Sequence, residues 1–433
     1  MRPAFLGRLA ALLAVAALAI PATAAANEVT TWNAIAQNTV LAQPPIASAP
    51  PAAAVFMAMV QGSVYGAVNA IDGVHRPYLI HHASRRASKE AAVAAAAFRV
   101  LDTLFPAQHD ALKAQYDASL AAIPDGSSKE AGIKVGTDAA DALLAQGHDG
   151  RSPLPCVFGN GPGVWRPLLA ANGTPMCDPT PWVASARPFL VKSAWQFLTE
   201  GPNALTSRAY ARDVNEVEEL GALNSTSRTA AETHAAAFWQ TNPAATWNGV
   251  ARRLADDPVR PLDISDSARL FGMMDLSAAD ALINCWNDKY SRSYWRPITA
   301  IREAGTDGNP ATVADPTWQP LFDPSLDPLT AGAGPALVTP PYPEHPSGAN
   351  CFTWSSLTAV QAFLGTDRLS FYVTSSRFPA EQRHFDRLSD AGEEVIEARI
   401  WAGIHFRTAD EQGAELGRRV ARWDRVHYFM PLH

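Results

Sequence analysis

The chain has 433 residues, of which 47% are hydrophobic and 18% are charged. This apolar content supports a folded core and excludes an intrinsically disordered protein. Lys and Arg number 35 against 42 Asp and Glu, so the net charge of −7 argues against nucleic acid as a partner, and four cysteines exclude a dense disulfide scaffold.

The N-terminus has the pattern of a secretory signal peptide, which we predict to comprise residues 1–26. Arg2 and Arg8 precede and flank an apolar run that is too short to span a bilayer comfortably, and an A-x-A cleavage pattern ends at Ala26. Removal of this segment takes away two basic residues and no acid, so the net charge becomes −9. We therefore expect a secreted or periplasmic protein that folds where disulfides can form.

Residues 27–433 are predicted to form a single domain of the all-α class. Residues 27–50 are rich in Pro, Ala and Asn and are predicted to be an extended arm. The apolar stretch 52–71 contains Gln61, Ser63 and Asn69, which favours a buried bundle helix over a membrane span. We therefore expect no membrane span in the mature chain.

Further helices follow in chain order. Ser88 precedes a helix that ends before Pro106, and Ser127 with Glu130 has capping-box spacing ahead of a helix running toward Gln146. Helical periodicity recurs around residues 185–199, 213–222, 227–241, 265–287, 353–364, 379–401 and 408–427. Most of the 34 prolines and 27 glycines lie between these segments, which predicts helical bundles with long Pro/Gly-rich loops.

The loop region around residues 150–182 contains two of the four cysteines. A disulfide between Cys156 and Cys177 is plausible in an oxidising compartment and would stabilise the fold by roughly 3 kcal/mol. Cys285 and Cys351 remain as a second candidate pair. A zinc site is disfavoured because the chain has no C-x-x-C motif, and no histidine lies at ligand spacing near these cysteines.

Three stretches near the C-terminus contain the residue types that bind anions. Lys289 and Arg296 are seven residues apart, so two helical turns would place both cations on one face before Pro297 redirects the chain. Alone, this spacing is typical of a solvated helix face.

The second stretch is 342–350, where a Pro-Ser-Gly turn opens an apolar helix. Ser347 lies near the N-cap, and the N–H of Gly348 would point outward at the positive end of the helix dipole. In the third stretch Arg399 precedes His405 by six residues, so both reach one point only if the helix ends near Gly403. Alone, these are an ordinary cap and a structural histidine.

Taken together and in this order, the stretches resemble the K-x6-R-P, P-S-G-H and [S/A]-R-x5-H signature. That signature belongs to the superfamily of type 2 phosphatidic acid phosphatases and vanadium-dependent haloperoxidases. Residues 65–71 and 215–221 also resemble the soluble haloperoxidase-like group, so the resemblance covers roughly residues 50–430. It implies a helical-bundle fold with one oxyanion pocket, which we expect within residues 285–410.

The resemblance also implies roles for individual residues. Vanadate or phosphate would occupy the pocket, with its equatorial oxygens neutralised by three cations and its axial position facing His405. His405 would be the metal ligand with vanadate, or the nucleophile that forms a phosphohistidine with a phosphate ester. The residues around the equator would be Lys289, Arg296 and Arg399, with the hydroxyl of Ser347 and the N–H of Gly348.

This sequence departs from the signature at position 349, where Ala349 replaces the motif's acid–base histidine. Such a group typically contributes about 10²- to 10⁴-fold to the rate. Three hypotheses stay open: His345, four residues earlier, substitutes for it; the protein binds an oxyanion but reacts poorly; or the alanine is an engineered substitution. A second departure is Asp410, five residues after His405, where the phosphatase pattern has an acid after four.

Three functions are consistent with these features. The first is a secreted vanadate-dependent haloperoxidase-like enzyme that oxidises halide with hydrogen peroxide, which the signal peptide, the length and the lack of spanning helices favour. The second is an exported acid phosphatase that uses the same pocket on a phosphate ester. The third is an oxyanion-binding protein with weak or lost catalysis.

Overall fold

Our computed structural model describes residues 27–169, 172–321 and 339–432. Helices dominate these residues. The predicted signal peptide, residues 1–26, lies outside them. The helices are α1 (Glu28–Leu41), α2 (Pro45–Ser48), α3 (Pro50–Asp72), α4 (Lys89–Leu104), α5 (His109–Ala121), α6 (Ser127–Leu144), α7 (Arg208–Leu220), α8 (Ala230–Phe238), α9 (Pro243–Ala255), α10 (Ile264–Arg292), α11 (Pro297–Arg302), α12 (Gly348–Leu364), α13 (Leu388–Trp401) and α14 (Arg407–Tyr428). Strands β1 (Arg368–Val373) and β2 (Arg383–Arg387) form one antiparallel hairpin, in which Phe371 pairs with Phe385. The all-α prediction is confirmed.

The core is built around the long helix α10. It packs against α3 on one side and against α12 and α14 on the other, while α4 and α6 pack against each other and against α3. Among the described residues, α3 is the helix long and apolar enough to cross a membrane, and its apolar stretch is completely buried within the protein. The prediction of a buried bundle helix at 52–71 is confirmed.

The predicted extended arm over 27–50 is wrong, because most of it forms α1. The side chain of Asn27 caps this helix by accepting the N–H of Val29. Trp32, Ala36 and Val40 are fully buried along one face of it. Spacing of three to four residues between these apolar side chains outweighs the Pro- and Asn-rich composition around the helix.

The predicted helix at 185–199 is also wrong. This segment follows a short 3₁₀ turn (Pro181–Ser185) and runs as turns and bends along α10. The carboxylate of Asp280 accepts the backbone N–H groups of Phe189, Leu190 and Val191 at 2.7–2.9 Å. Long-range acceptors on α10 thus replace the carbonyl partners that a helix would supply.

Smaller differences concern helix starts and two unpredicted helices. The helix over α6 is confirmed, but its N-cap is Gly126 and Ser127 does not form the predicted capping box. The segment predicted as helical from 379 contains β2 before α13 begins at Leu388. The sequence patterns gave no prediction for α5 and α9.

Of the two cysteine pairs considered as disulfides, one is bonded and the other is not. Cys156 and Cys177 form a disulfide with Cα atoms 5.4 Å apart. The second candidate pair is not bonded, because Cys285 on α10 and Cys351 on α12 are buried free thiols. The two thiols hydrogen-bond to each other in the interior between these helices.

Candidate oxyanion site

Lys289 and Arg296 are brought together by a helix end rather than by a continuous helix. Lys289 lies in the last turn of α10, which ends at Arg292, and Ser293 then adopts a left-handed backbone conformation with φ of 48°. Arg296 is the N-cap residue of α11. The prediction of two helical turns between the cations is therefore wrong, although both side chains are buried.

The ammonium of Lys289 holds the loop that precedes α12. It donates to the carbonyl oxygens of Pro343 and Glu344 at 3.1 and 2.9 Å, and also to that of Pro346. Burial lowers the pKa of Lys289 to about 8. Lys289 therefore supplies positive charge to the site while it also fixes the path of this loop.

Arg296 contacts His405 directly. Its Nη1 lies 3.2 Å from Nε2 of His405 and donates to the carbonyl of Ile404 at 2.8 Å, while Nε donates to the carbonyl of Tyr342 at 2.9 Å. Its Nη2 is buried and has no hydrogen-bond partner among the described residues. One edge of the guanidinium is therefore free to bind an anion.

Ser347 is the N-cap residue of α12, as predicted, and Gly348 is the first residue of the helix. The N–H of Ser347 donates to the carbonyl of Ala409 at 2.9 Å, which ties this end of α12 to the start of α14. A Cβ added at Gly348 would lie 2.6 Å from the ring of Trp286, so a larger residue would displace the helix start. The first-turn N–H groups of α12 have no acceptors within the helix.

Arg399 and His405 converge because α13 ends between them. The helix ends at Trp401, and Gly403 takes a left-handed conformation with φ of 74°. The predicted helix end near Gly403 is confirmed. Arg399 donates to the carbonyl of Trp239 at 2.9 Å, and its Nε is buried with no partner in the described part of the chain.

Glu344 orients the imidazole of His405. Its Oε1 lies 2.9 Å from Nδ1 of His405 and also accepts the N–H of Phe406 at 2.9 Å. Since a carboxylate accepts and Arg296 donates, the proton belongs on Nδ1 and the lone pair on Nε2. Glu344 lies within the stretch 342–350 that was predicted to bind an anion, and its position three residues before Ser347 was the available signal.

The imidazole of His405 is neutral. Burial and the positive charges of Arg296, Lys289 and Arg399 hold the pKa of His405 well below its usual value. Burial raises the pKa of Glu344 to about 7, an effect that the nearby Arg296 partly offsets. His405 is only 2% exposed.

Asp410 belongs to the same cluster but contacts different groups. It accepts the side-chain amide of Asn350 at 2.7 Å, and that amide also lies 3.4 Å from the hydroxyl oxygen of Ser347. Burial raises the pKa of this carboxyl well above its usual value. The orienting partner of His405 is thus Glu344, in agreement with the departure from the phosphatase spacing at Asp410.

His345 and Ala349 have separate environments. Nε2 of His345 lies 2.9 Å from the hydroxyl of Thr199, which donates to the carboxylate of Asp288 at 2.5 Å. Burial lowers the pKa of His345 to about 3. Ala349 instead lines a small cavity together with Arg399. The hydrogen bond to Thr199 gives no support to His345 as a substitute acid, and that role stays a prediction.

Aromatic rings surround the cations. The ring of Tyr342 packs against Trp286 with centroids 5.0 Å apart, and it lies 5.2 Å from Nζ of Lys289 and 4.9 Å from the guanidinium of Arg296. Trp295 is fully buried in the core. The low polarity of this wall strengthens every charge interaction in the site.

Comparisons in sequence match the part of the chain that holds this cluster. A family model for the second helical-bundle domain of VCPO matches residues 269–430. Vanadium chloroperoxidase from Curvularia inaequalis is 27% identical over 281 residues, which cover 54% of this chain and 44% of that protein. The aligned part therefore spans less than half of the length of this relative.

Comparisons in structure extend over nearly the whole chain. A bacterial vanadium-dependent iodoperoxidase matches with a TM-score of 0.73 at 21% identity, covering 94% of this chain and 97% of that one. The holo form of a bacterial vanadium-dependent chloroperoxidase matches with a TM-score of 0.66 at 18% identity, covering 91% and 95%. At these identities the matches show the fold.

The fold and the site together describe a helical protein with a buried cluster of cationic side chains around one histidine, His405. The family model, the curated relative and the shared fold agree on where this class belongs. The chain resembles the vanadium haloperoxidases in the sequence of residues 269–430 and in its fold.

Proposed function

We propose that this protein is a vanadate-dependent haloperoxidase, with His405 as the protein ligand to vanadate and with hydrogen peroxide and halide as substrates. The observation that carries the proposal is the neutral His405, whose Nδ1 is held by Glu344 while Nε2 faces Arg296. A neutral imidazole with one nitrogen fixed by a carboxylate is the usual form of a metal-ligating histidine.

The residues around His405 fit an oxyanion. Nη2 of Arg296 is a buried donor without a partner among the described residues, and Arg399 and Lys289 add two further positive charges. Lys289, Arg296, Arg399, Ser347 and Gly348 would hold the anion, and His405 would ligate the metal. Bound vanadate supplies Lewis-acid chemistry that polarises peroxide.

The chain's own residues bind, orient and exclude water. Glu344 keeps the lone pair of His405 on Nε2, and the buried cations offset the negative charge of the anion. Asp410 accepts the side-chain amide of Asn350, and the same amide lies 3.4 Å from the hydroxyl oxygen of Ser347, whose own proton stays available to donate. Burial of all these groups makes each charge interaction stronger than it would be in water.

We also propose that the protein is exported. The signal-like segment 1–26 supports export, and the disulfide between Cys156 and Cys177 suits an oxidising compartment. Mass spectrometry of the protein secreted by an expression host would test this. An N-terminus shortened by about 26 residues is expected, whereas retention of the full chain in the reducing cytoplasm would contradict it.

The proposed activity is tested on purified protein loaded with orthovanadate. We expect peroxide and bromide to brominate a phenolic dye only when vanadate is present, and His405→Ala to abolish the reaction. His109→Ala, at a partly exposed histidine on α5, is the control and should retain activity. Bromination that persists in His405→Ala would contradict the proposal.

A parallel assay separates the other candidate functions. Aryl phosphate hydrolysis without vanadate, inhibited when vanadate is added, would identify an acid phosphatase. Vanadate binding without either activity would identify an oxyanion-binding protein with lost catalysis. In both cases Arg296→Met should weaken the binding of the anion, since one buried charge-assisted donor is removed.

A further inference from the structure

Ala349 lines a small cavity beside the candidate oxyanion site. The cavity lies between α9, α12 and α13 and offers about 20 Å³ to the centre of a water molecule. One bound water needs roughly 10–15 Å³ of space, so the cavity is large enough for one. Ala349 is partly exposed, which leaves a route to solvent.

The polar groups around the cavity suit a water molecule. Thr353 lies one helical turn after Ala349 on the same face of α12, and Arg399 lies one turn after Val395 on α13. The hydroxyl oxygen of Thr353 accepts Nε1–H of Trp247 at 3.1 Å, which leaves its own proton to donate. Nε of Arg399 is buried without a partner among the described residues.

No carboxylate or histidine belongs to this lining. The described residues around the cavity are aromatic, aliphatic or hydroxyl-bearing apart from Arg399, and the indoles of Trp239 and Trp247 stack with centroids 6.0 Å apart. An imidazole at position 349 would therefore meet a guanidinium and have no carboxylate from the lining to orient it. The surroundings suit a small neutral ligand in place of an acid–base side chain.

We propose that Ala349 creates a binding site for one water molecule, held by Arg399 and the positioning residue Thr353, which acts as the acid–base group of the reaction. The inference rests on the proposed function. The water gives one proton to an oxygen of the bound oxyanion and takes one from solvent, so its own composition is unchanged. The guanidinium has five N–H donors, enough to bind an anion along one edge and this water along another.

The site itself is tested without an activity assay. A high-resolution crystal structure of the protein with bound sulfate should show a water, separate from the anion, within hydrogen-bond distance of Nε of Arg399 and the hydroxyl of Thr353. An empty cavity, or a cavity filled by an oxygen of the anion, would overturn the proposal. Neither result depends on whether the protein is a peroxidase, so failure of the proposed function is recognised separately.

The role of the water is tested with Ala349→Val, which fills the cavity, and Ala349→Ser, which places a hydroxyl there. We expect Ala349→Val to lower turnover about tenfold or more, with vanadate affinity within about threefold of wild type, and Ala349→Ser to keep most of the turnover. Ala362→Val, a partly exposed site on the same helix, controls for the extra methyl groups. Unchanged turnover in Ala349→Val would overturn the proposal.

Thr353→Val gives a second, nearly isosteric test. Loss of the hydroxyl should lower turnover by about tenfold while vanadate binding stays intact, because the water loses one partner. Thr358→Val, at a buried threonine on the same helix outside the cavity, is the matched control. Equal effects of the two threonine variants would count against the proposal.

Discussion

At the scale of single residues, the orientation of His405 depends on Glu344. The carboxylate is fully buried and accepts both the imidazole Nδ1–H and the N–H of Phe406. Its other oxygen, Oε2, has no hydrogen-bond partner among the described residues. The charge of Glu344 therefore acts chiefly on His405 and on the buried cations near it.

We predict that Glu344→Gln weakens vanadate binding by about 10- to 100-fold, because the amide keeps an acceptor for Nδ1–H but loses the negative charge that increases the basicity of Nε2. Equilibrium dialysis against orthovanadate measures the effect. Glu411→Gln, at an exposed carboxylate on α14, is the control and should bind normally. A dissociation constant for Glu344→Gln equal to that of wild type would show that Glu344 is only structural.

The motif spacing singled out the cations and His405, which are buried in one region of the fold, but it did not point to the partner of His405. Motif positions are local, whereas Glu344 reaches His405 across 61 residues of chain. The close approach also requires the helix end at Gly403 and the hydrogen bond from the N–H of Phe406. Contacts of this kind arise from tertiary packing, so the spacing to Asp410 could not reveal which acid was used.

At the scale of secondary structure, the packing of α12 against α14 sets the position of Ser347. A Cβ added at Gly413 would lie 2.6 Å from the carbonyl oxygen of Ser347, and one at Gly417 would lie 2.5 Å from that of Cys351. These two glycines, one turn apart on α14, allow the backbones to approach closely. The N–H of Ser347 bonds to Ala409 across the same contact.

We predict that Gly413→Ala lowers the free energy of unfolding by about 1–3 kcal/mol and also weakens vanadate binding, since the added methyl group separates the two helices at the site. Gly66→Ala on α3 is the matched control, because its nearest neighbours would lie 4.0 Å from the new Cβ. That variant should gain about 0.4–1 kcal/mol. Urea denaturation and vanadate titration of both proteins would check this, and equal stabilities would contradict it.

Elements with strong local periodicity were predictable, and those fixed by distant partners were not. The helices α4 and α10 follow from side-chain caps and apolar spacing within their own sequences, and α14 follows from its apolar spacing. The segment at 185–199 has helical periodicity as well, yet the carboxylate of Asp280 on α10 accepts hydrogen bonds from three of its backbone N–H groups. A competing acceptor 90 residues away in the chain leaves no local signal.

At the scale of the whole molecule, a buried polar network joins the N-terminal helix to the centre of the core. Asn33 on α1 donates to Asn248 on α9 at 2.6 Å, and Asn248 donates to Asp275 on α10 at 2.8 Å. Arg252 donates to Asn33 at 2.5 Å. Helix α1 is thereby held against the consecutive helices α9 and α10, at the cost of burying a carboxyl group.

The carboxyl of Asp275 makes the stability of this arrangement depend on pH. Burial raises the pKa of Asp275 from 3.8 to about 7, and Oδ2 has no partner among the described residues. The folded state therefore holds this proton more tightly than the unfolded chain does. The contribution of Asp275 is fully present below about pH 4 and is lost as the pH rises through about 7.

We predict that Asp275→Asn gains about 1–3 kcal/mol more stability over wild type at pH 8 than at pH 5, because the amide can accept from Asn248 and never ionises. Urea denaturation at both pH values measures the difference, and Asp138→Asn at an exposed ion pair is the control that should show no such pH dependence. A gain of equal size at pH 5 and pH 8 would mean that packing, rather than the charge of Asp275, limits stability here. A loss at pH 8 would mean that the ionised carboxylate is stabilised by Arg252 more than burial destabilises it.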